Sequence, residues 1–348
     1  MSIDIEGPGR VPLDATQSVS TPRPGDVLRM AAARLVDSSR ISLLFKLGVS
    51  VGLIILVCRH VDGAVLVDAL RHQSAAWLAA TTLLGLVQIG LLSWRWQQIV
   101  QALGGETSTV SALSVTFMGC FFGAFLLGPT GGDVARAVLA PTRSLGRRGI
   151  VHSVLFERLT SVIGLGLAAL PLVVLNAGPL ARSAPLAVTL AVVPLAFLAA
   201  ATAARLARWL GDRNRALLFA LRDLDQSWRL LLCRWRRFAL AVAVATVGQG
   251  LVAVEAWCLA QGQHLGVPLV DFAILMPPVM LVVALPISAG GWGLREGAIV
   301  AALGLVGVAP ALLLSVEFGL IGTLISLPGG AIWLRRCFLR VNQNARDT

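Results

Sequence analysis

The stretch FFGAFLLGPTGGDVARAVLA, residues 121–140, decides how this chain folds. An apolar run that reads as part of a membrane span stops at Gly128-Pro129-Thr130-Gly131-Gly132. It restarts with Asp133 and Arg136, a spacing that puts both on one face of a helix. A helix break, an acid and an arginine are ordinary in a loop facing water. Beside an apolar run they raise the question of what surrounds them, and composition answers it first.

Of the 348 residues, 56% are hydrophobic and only 14% are charged. Soluble domains carry about 25% charged residues, so this chain has too little polar surface to cover a water-facing fold. Several apolar runs reach roughly 17–25 residues, the length a helix needs to cross about 30 Å of hydrocarbon. The runs are continuously apolar rather than alternating, which excludes a membrane β-barrel. The fold class is therefore all-α: a polytopic helical membrane protein with about eight transmembrane helices plus two short or re-entrant ones.

The net charge is +11, and 28 of the 29 basic residues are arginine, Lys46 being the one lysine. They cluster in loops, where the positive-inside rule and anionic headgroups account for them better than nucleic acid does. The five cysteines and four histidines are scattered, with no metal or redox spacing, so neither a metal nor a cofactor is expected.

Residues 1–40 are polar, contain Pro and Ser, and lack a signal-peptide core, so they read as a disordered tail. The transmembrane domain runs over 41–335, with spans expected at 41–57, 74–92, 109–127, 153–175, 186–204, 238–260, 272–288 and 311–333. Trp94 and Trp96 suit an interfacial aromatic belt. Between the fifth and sixth spans, residues 205–237 hold nine arginines against three aspartates. Their leucines and tryptophans recur at helical spacing, as in an amphipathic helix on the membrane surface.

Arginine counting places both termini, the tail 336–348 included, with 141–152 and 205–237, in the cytoplasm, and leaves 176–185 and 261–271 outside. These assignments agree only if residues 128–140 turn back toward the side from which the third span set out.

GPTGGDVARAV has a counterpart, PISAGGWGLREGA at 286–298. Both contain Gly-Gly-x-x-x-Arg: Gly131, Gly132 and Arg136 in the first, Gly290, Gly291 and Arg295 in the second. The arginines are 159 positions apart, nearly half the chain, and the charge count gives the two short helices opposite directions. That is the pattern of an internal inverted repeat, and interrupted segments at matching places point to a transporter site.

On this reading Gly-Gly permits a sharp turn, and the restarted helix offers free N–H groups to an anion such as a lipid phosphate. Arg136 and Arg295 lie in the first turn and add bidentate bonds, while Asp133 caps the first short helix. The competing reading is two helix starts at an interface, each arginine snorkelling to headgroups. Glu157 and Arg158, in VLFERLTSV, open the fourth span as an ion pair or a functional pair. Glu255 in the sixth span, Glu296 after Arg295, and Glu317 in the eighth are candidates for ion pairing or coupling. Trp292 stands apart from the other tryptophans because it sits inside the second motif.

LGPTGGDVARAVL, VLFERL and PISAGGWGLREGAIVAALGLVGV resemble signatures of the lysylphosphatidylglycerol synthase transmembrane region family, also called flippase-like proteins. The resemblance covers roughly residues 41–335. It implies a bacterial inner-membrane protein of about eight spans with re-entrant elements that moves lipids between leaflets. Gly131, Gly132, Asp133 and Arg136 match the first motif, Glu157 and Arg158 the middle one, and Gly290, Gly291, Gly293, Arg295 and Glu296 the last. The bifunctional synthases carry a soluble aminoacyl-transferase domain after the membrane region. Here about fifteen residues follow the last expected span, so that activity is expected to be absent.

The function expected is translocation of a phosphate-bearing lipid without enzymatic chemistry. No nucleotide-binding loop is present in the sequence, so transport is expected to be passive, ion-coupled or driven by a partner. The rivals are a membrane-embedded lipid-modifying enzyme and a non-transporting lipid-binding partner of a lipid, hopanoid or glycolipid pathway. Expected partners are membrane lipids, chiefly anionic phospholipid, and a separate lipid-synthesis enzyme; homo-oligomerisation is left open.

Overall fold

The computed structural model describes residues 73–127, 129–140, 145–174, 215–284, 292–308 and 311–344. The expected N-terminal tail, the first and fifth spans, residues 205–214, and Pro286, Gly290 and Gly291 lie outside these residues.

The described residues form nine α-helices and one π segment. They are α1 (Ala75–Ala102), α2 (Thr109–Phe122), the π segment Gly123–Leu127, α3 (Pro129–Leu139), α4 (Gly146–Val174), α5 (Arg215–Cys233), α6 (Trp235–Gly262), α7 (Leu269–Val283), α8 (Leu294–Gly304) and α9 (Ala311–Asn344). Four of them, α1, α4, α6 and α9, are long and apolar enough to cross a membrane. With no water to serve them, hydroxyls in these helices bond back to their own carbonyls: Thr81 to Trp77, Thr82 to Leu78, Thr246 to Val242 and Thr323 to Gly319.

Apart from α5, the helices fall into two matching sets of four, α1–α4 and α6–α9. In each, a long helix leads through a six-residue connection to a helix of about half its length. A break follows, then an 11-residue helix, then a second long helix. Helices α1 and α6 start at Ala75 and Trp235 and end at Ala102 and Gly262, 160 positions apart at both ends. Their C-termini are built alike. Gly104 and His264, again 160 apart, both take positive φ (92° and 55°). The following amides, of Gly105 and Leu265, donate to Val100 and Ala260 at 2.9 and 3.0 Å, closing the helix end in the left-handed manner.

The two sets are inverted. Helix α1 begins where α6 ends, the Ser74 amide donating to the Gly262 carbonyl at 3.1 Å. It ends where α6 begins, with Arg234 donating to the Gln101 carbonyl and Arg237 to the Gln101 side chain. Equivalent helices thus pack antiparallel as the central pair.

Each short pair, α2–α3 and α7–α8, returns to the end of the bundle from which it left. Thr109, at the start of α2, pairs with Gln97 near the end of α1. Ala140, just past α3, joins Trp96 and Val100 in one buried cluster. In the second set, Leu303 of α8 and Ala311 of α9 share a core with Leu259 and Ala260 at the opposite end. The third and seventh expected spans are therefore not full crossings. The apolar helical stretches here, Thr109–Phe125 and Leu269–Val283, are shorter than the four helices long enough to cross. Hydropathy counts apolar residues and is blind to a reversal between them.

Two further expectations change. The C-terminal helix runs on through the expected tail to Asn344. The basic amphipathic segment breaks at Arg234, and α5 lays its apolar face on the bundle end rather than only on lipid. Leu231 of α5 is buried with Ile99, Phe156 and Ala241, and Leu224 and Trp228 pack alongside. Trp228 lies 5.6 Å from Phe156 and 6.4 Å from Phe238, centroid to centroid.

Candidate functional site

The acids and arginines of the first motif and of VLFERL assemble into one string of alternating charge. Glu157 on α4 accepts from Arg95 of α1 at 3.1 Å and from Arg136 of α3 at 2.5 Å, one partner on each carboxylate oxygen. Asp133 on α3 accepts from Arg136 at 3.2 Å and from Arg158 of α4 at 2.6 Å. The order is Arg95, Glu157, Arg136, Asp133, Arg158. The string starts buried, with the Glu157 side chain 2% exposed, and ends at Arg158, 41% exposed. Desolvating five charged groups is costly, and the alternation gives each interior charge two opposite neighbours.

Helix geometry explains who pairs with whom. Asp133 and Arg136 sit three residues apart on α3, on one face. Glu157 and Arg158 are consecutive on α4, about 100° apart around the axis, so they face different neighbours instead of each other. The expected Glu157–Arg158 pair is thus replaced by two separate pairings.

The string opens into a cavity of about 300 Å³ between α1, α2, α3 and α4. Its charged wall is Asp133, Arg136 and Arg158, and the remainder is Leu92, Gly119, Cys120, Gly123, Ala124 and Gly132. The glycines are there for proximity. A Cβ on Gly132 would stand 2.5 Å from the Gly119 carbonyl oxygen, and one on Gly119 would stand 2.6 Å from Cγ of Arg136. Helix α3 can approach α2, and the arginine stem can cross it, only because both positions lack a side chain.

This corrects the expected role of the first motif. Helix α3 begins at Pro129, two residues before Gly131, since proline is well tolerated as a first helical residue. Gly131 and Gly132 are therefore inside the helix rather than a turn before it. Asp133 does not cap α3 but pairs sideways, and Arg136 lies in its last turn, not its first.

The second motif is built differently. Arg295 does lie in the first turn of α8, after Gly293 at φ 82°. Its Nε and Nη2 donate to Glu296 at 3.0 and 2.6 Å, and its guanidinium stacks on Trp292 at 4.7 Å. The other Glu296 oxygen accepts the Gly293 amide at 2.5 Å, tying down the helix start. A Cβ on Gly319 of α9 would overlap the Arg295 guanidinium. Each motif arginine thus lies across a glycine of a neighbouring helix.

Among the described residues, Arg136 pairs with Glu157 and Asp133 and Arg295 with Glu296, so the two arginines share no partner. Glu317 accepts from Gln263 at 2.8 Å, and Glu255 is buried with its Oε1 unpartnered.

Arg95 is the member that sequence reasoning missed. It lies in SWRW, which reads as an aromatic belt, yet Arg95 and Trp96 are both buried. The Trp96 indole N–H donates to Ser153 of α4 at 3.1 Å instead of facing the interface. The available signal was an arginine lying between two tryptophans, Trp94 and Trp96, directly after an apolar run.

The family model described as lysylphosphatidylglycerol synthase TM region matches residues 43–330. No curated protein and no solved structure matches the chain.

Proposed function

This chain belongs to the lysylphosphatidylglycerol synthase TM region family, and from that premise we propose that it moves a phosphate-bearing lipid between leaflets of the bacterial inner membrane, with both termini cytoplasmic. The family and the apolar helices make it a membrane protein of lipid-related processes. The observation that supports translocation is the charged string opening into the glycine-walled cavity beside a re-entrant hairpin.

Asp133 bridges Arg136 and Arg158 where a lipid phosphate would sit. Guanidinium forks hold carboxylate and phosphate through the same donors, so a phosphate entering the cavity competes with Asp133 for them. Leu92 and Ala124 add apolar side chains to the rest of the cavity wall. The buried Arg95–Glu157 end keeps Arg136 aimed while that exchange occurs. Inverted sets of helices are the scaffold on which alternating access, open to opposite sides in turn, is built. No step makes or breaks a covalent bond, so the proposal is a transporter and not an enzyme.

The test uses purified protein in liposomes carrying fluorescent phosphatidylglycerol, with dithionite quenching the outer leaflet. Wild type should quench past the outer-leaflet half. Arg136→Ala should stop at half, and Arg295→Ala should show whether the second motif shares the task. Full transport by the Arg136→Ala, Arg295→Ala double variant at normal expression overturns the reading. Covalent change of the lipid, read by mass spectrometry, replaces it with an enzyme.

A further inference from the structure

The two ends of the central α1–α6 pair are related by the repeat, yet they are finished differently. At one end the Ser74 amide meets the Gly262 carbonyl at 3.1 Å. The Gln73 side chain fills that junction, since a Cβ on Gly262 would stand 2.8 Å from it. At the other end the equivalent residues, 160 positions away, are Arg234 and Ala102. Here the Arg234 side chain makes the contact, its Nη1 donating to the Gln101 carbonyl and, at 3.5 Å, to that of Ala102. The longer reach spans a cavity of about 690 Å³. Three residues into each helix the contrast repeats. Trp77 packs edge-on against Trp257 at 5.7 Å, whereas Arg237 donates to the Gln101 side chain. The chain thus builds the same helix start without arginines, and the fold does not demand Arg234 or Arg237.

The cavity is walled by Gln101, the connection 104–108, Arg234 and Arg237. Its volume lies within the range of about 300–1,000 Å³ usual for small-molecule sites. Apart from Gly104 and Gly105 every lining residue is polar, so the wall suits a headgroup and offers nothing to an acyl chain. Gln101 is neutral and holds each guanidinium by its Nη1. The two positive charges are therefore fixed in place without being cancelled by that contact, and a guanidinium carries further donors on Nε and Nη2. Glu106, which engages a partner of its own, is the acid of the wall. Two arginines against one glutamate leave the wall positive. Arg236, between the two, lies over the Trp235 ring at 5.9 Å and is not part of the wall. An arginine that only answers a layer of anionic headgroups needs neither a cavity nor a fixed position, and Arg234 and Arg237 have both.

We propose that this cavity is a second anion site, which binds the phosphate of a phospholipid headgroup or of a soluble phosphate ester between Arg234 and Arg237. Guanidinium forks match phosphate oxygens in pairs, and two of them converge here. The site is separate from the cavity at Asp133 and Arg136, with which it shares no lining residue. Their members on α1, Gln101 and Leu92, are nine residues apart, about 13 Å along the helix axis. A phosphate bound here joins the connection that leads into the α2–α3 hairpin to the break between α5 and α6. Its occupancy ties the two sets of helices together at this end of the bundle. The inference does not rest on the translocase reading.

The test follows thermal unfolding of the full-length protein in detergent at constant ionic strength. Dioctanoyl phosphatidylglycerol is titrated in one arm and glycerol 1-phosphate in the other. A ligand that binds the folded state raises the melting temperature with its occupancy, which gives an apparent Kd. Wild type should respond to at least one probe. A response to both shows that the phosphate itself is recognised, one to the lipid alone assigns a headgroup, and one to glycerol 1-phosphate alone assigns a soluble ester. Arg234→Gln and Arg237→Gln should each weaken binding about tenfold or more, the worth of a charge-assisted hydrogen bond. Arg236→Gln removes the same charge outside the wall and should stay within about twofold of wild type. Equal losses in Arg236→Gln and Arg237→Gln reveal diffuse surface attraction and overturn the site, as does a wild type that responds to neither probe.

Should the arginine variants fail to fold, Glu106→Gln tests the site from the other direction. Removing the negative charge of the wall should tighten binding of the responding probe, and unchanged or weaker binding overturns the proposal. The series is repeated with Arg136→Ala added, which removes the motif arginine from the other cavity. The part of the response that depends on Arg237 should persist there, whether or not Arg136→Ala stops lipid flux. Its disappearance would overturn the separate site.

Discussion

Replacing Glu157 by Gln tests the charged string at its most buried point. The substitution keeps shape and one hydrogen-bond acceptor but removes the charge shared by Arg95 and Arg136. Arg95 then has no carboxylate partner among the described residues, and Arg136 retains only Asp133 at 3.2 Å. Breaking a buried pair from one side costs about 3–5 kcal/mol, chiefly because the remaining charge is left desolvated and unmatched. Since Arg136 keeps one partner, the lower end, about 3 kcal/mol, is expected. Unfolding in mixed detergent and dodecyl sulfate micelles, followed by circular dichroism, reads the loss directly. Removing the orphaned charge as well, in Arg95→Met with Glu157→Gln, should cost less than the sum of the two single variants by at least about 1 kcal/mol. A Glu157→Gln loss below about 1 kcal/mol, or strict additivity in that cycle, would refute the assignment of the string as an interdependent unit.

Gly132→Ala should destabilise by about 1–3 kcal/mol through overpacking against the Gly119 backbone. Gly248→Ala on α6, where a Cβ meets nothing within 4 Å, should be neutral or stabilising by up to about 1 kcal/mol; the same unfolding assay separates the two. Gly319→Ala should push the Arg295 guanidinium off Trp292 and give the same flux as Arg295→Ala, and a flux that differs between the two variants would separate that glycine from the arginine's role. Arg148→Ala breaks only the exposed 2.8 Å pair with Asp223, so its unfolding midpoint should shift by less than about 0.5 kcal/mol.

The sequence by itself determined the solvent and the class of fold. Apolar runs too long and too uncharged for water require helices, because no other open structure satisfies its own backbone in lipid. The two Gly-Gly-x-x-x-Arg motifs at 131–136 and 290–295 were enough to indicate duplication, and the arginine count was enough to turn 128–140 back on itself. Those signals are local, carried by composition and spacing along the chain.

What the tertiary structure decided was partnership. Arg95 and Glu157 are 62 positions apart, and no periodicity links them; α1 and α4 must pack before either has a neighbour. The glycines of the first motif read as a turn, but Gly132 turned out to serve a helix crossing, since only the packed pair shows the Gly119 carbonyl beside it. Charge balance in a bilayer is a property of neighbours in space, and the chain brings those neighbours together only when it folds.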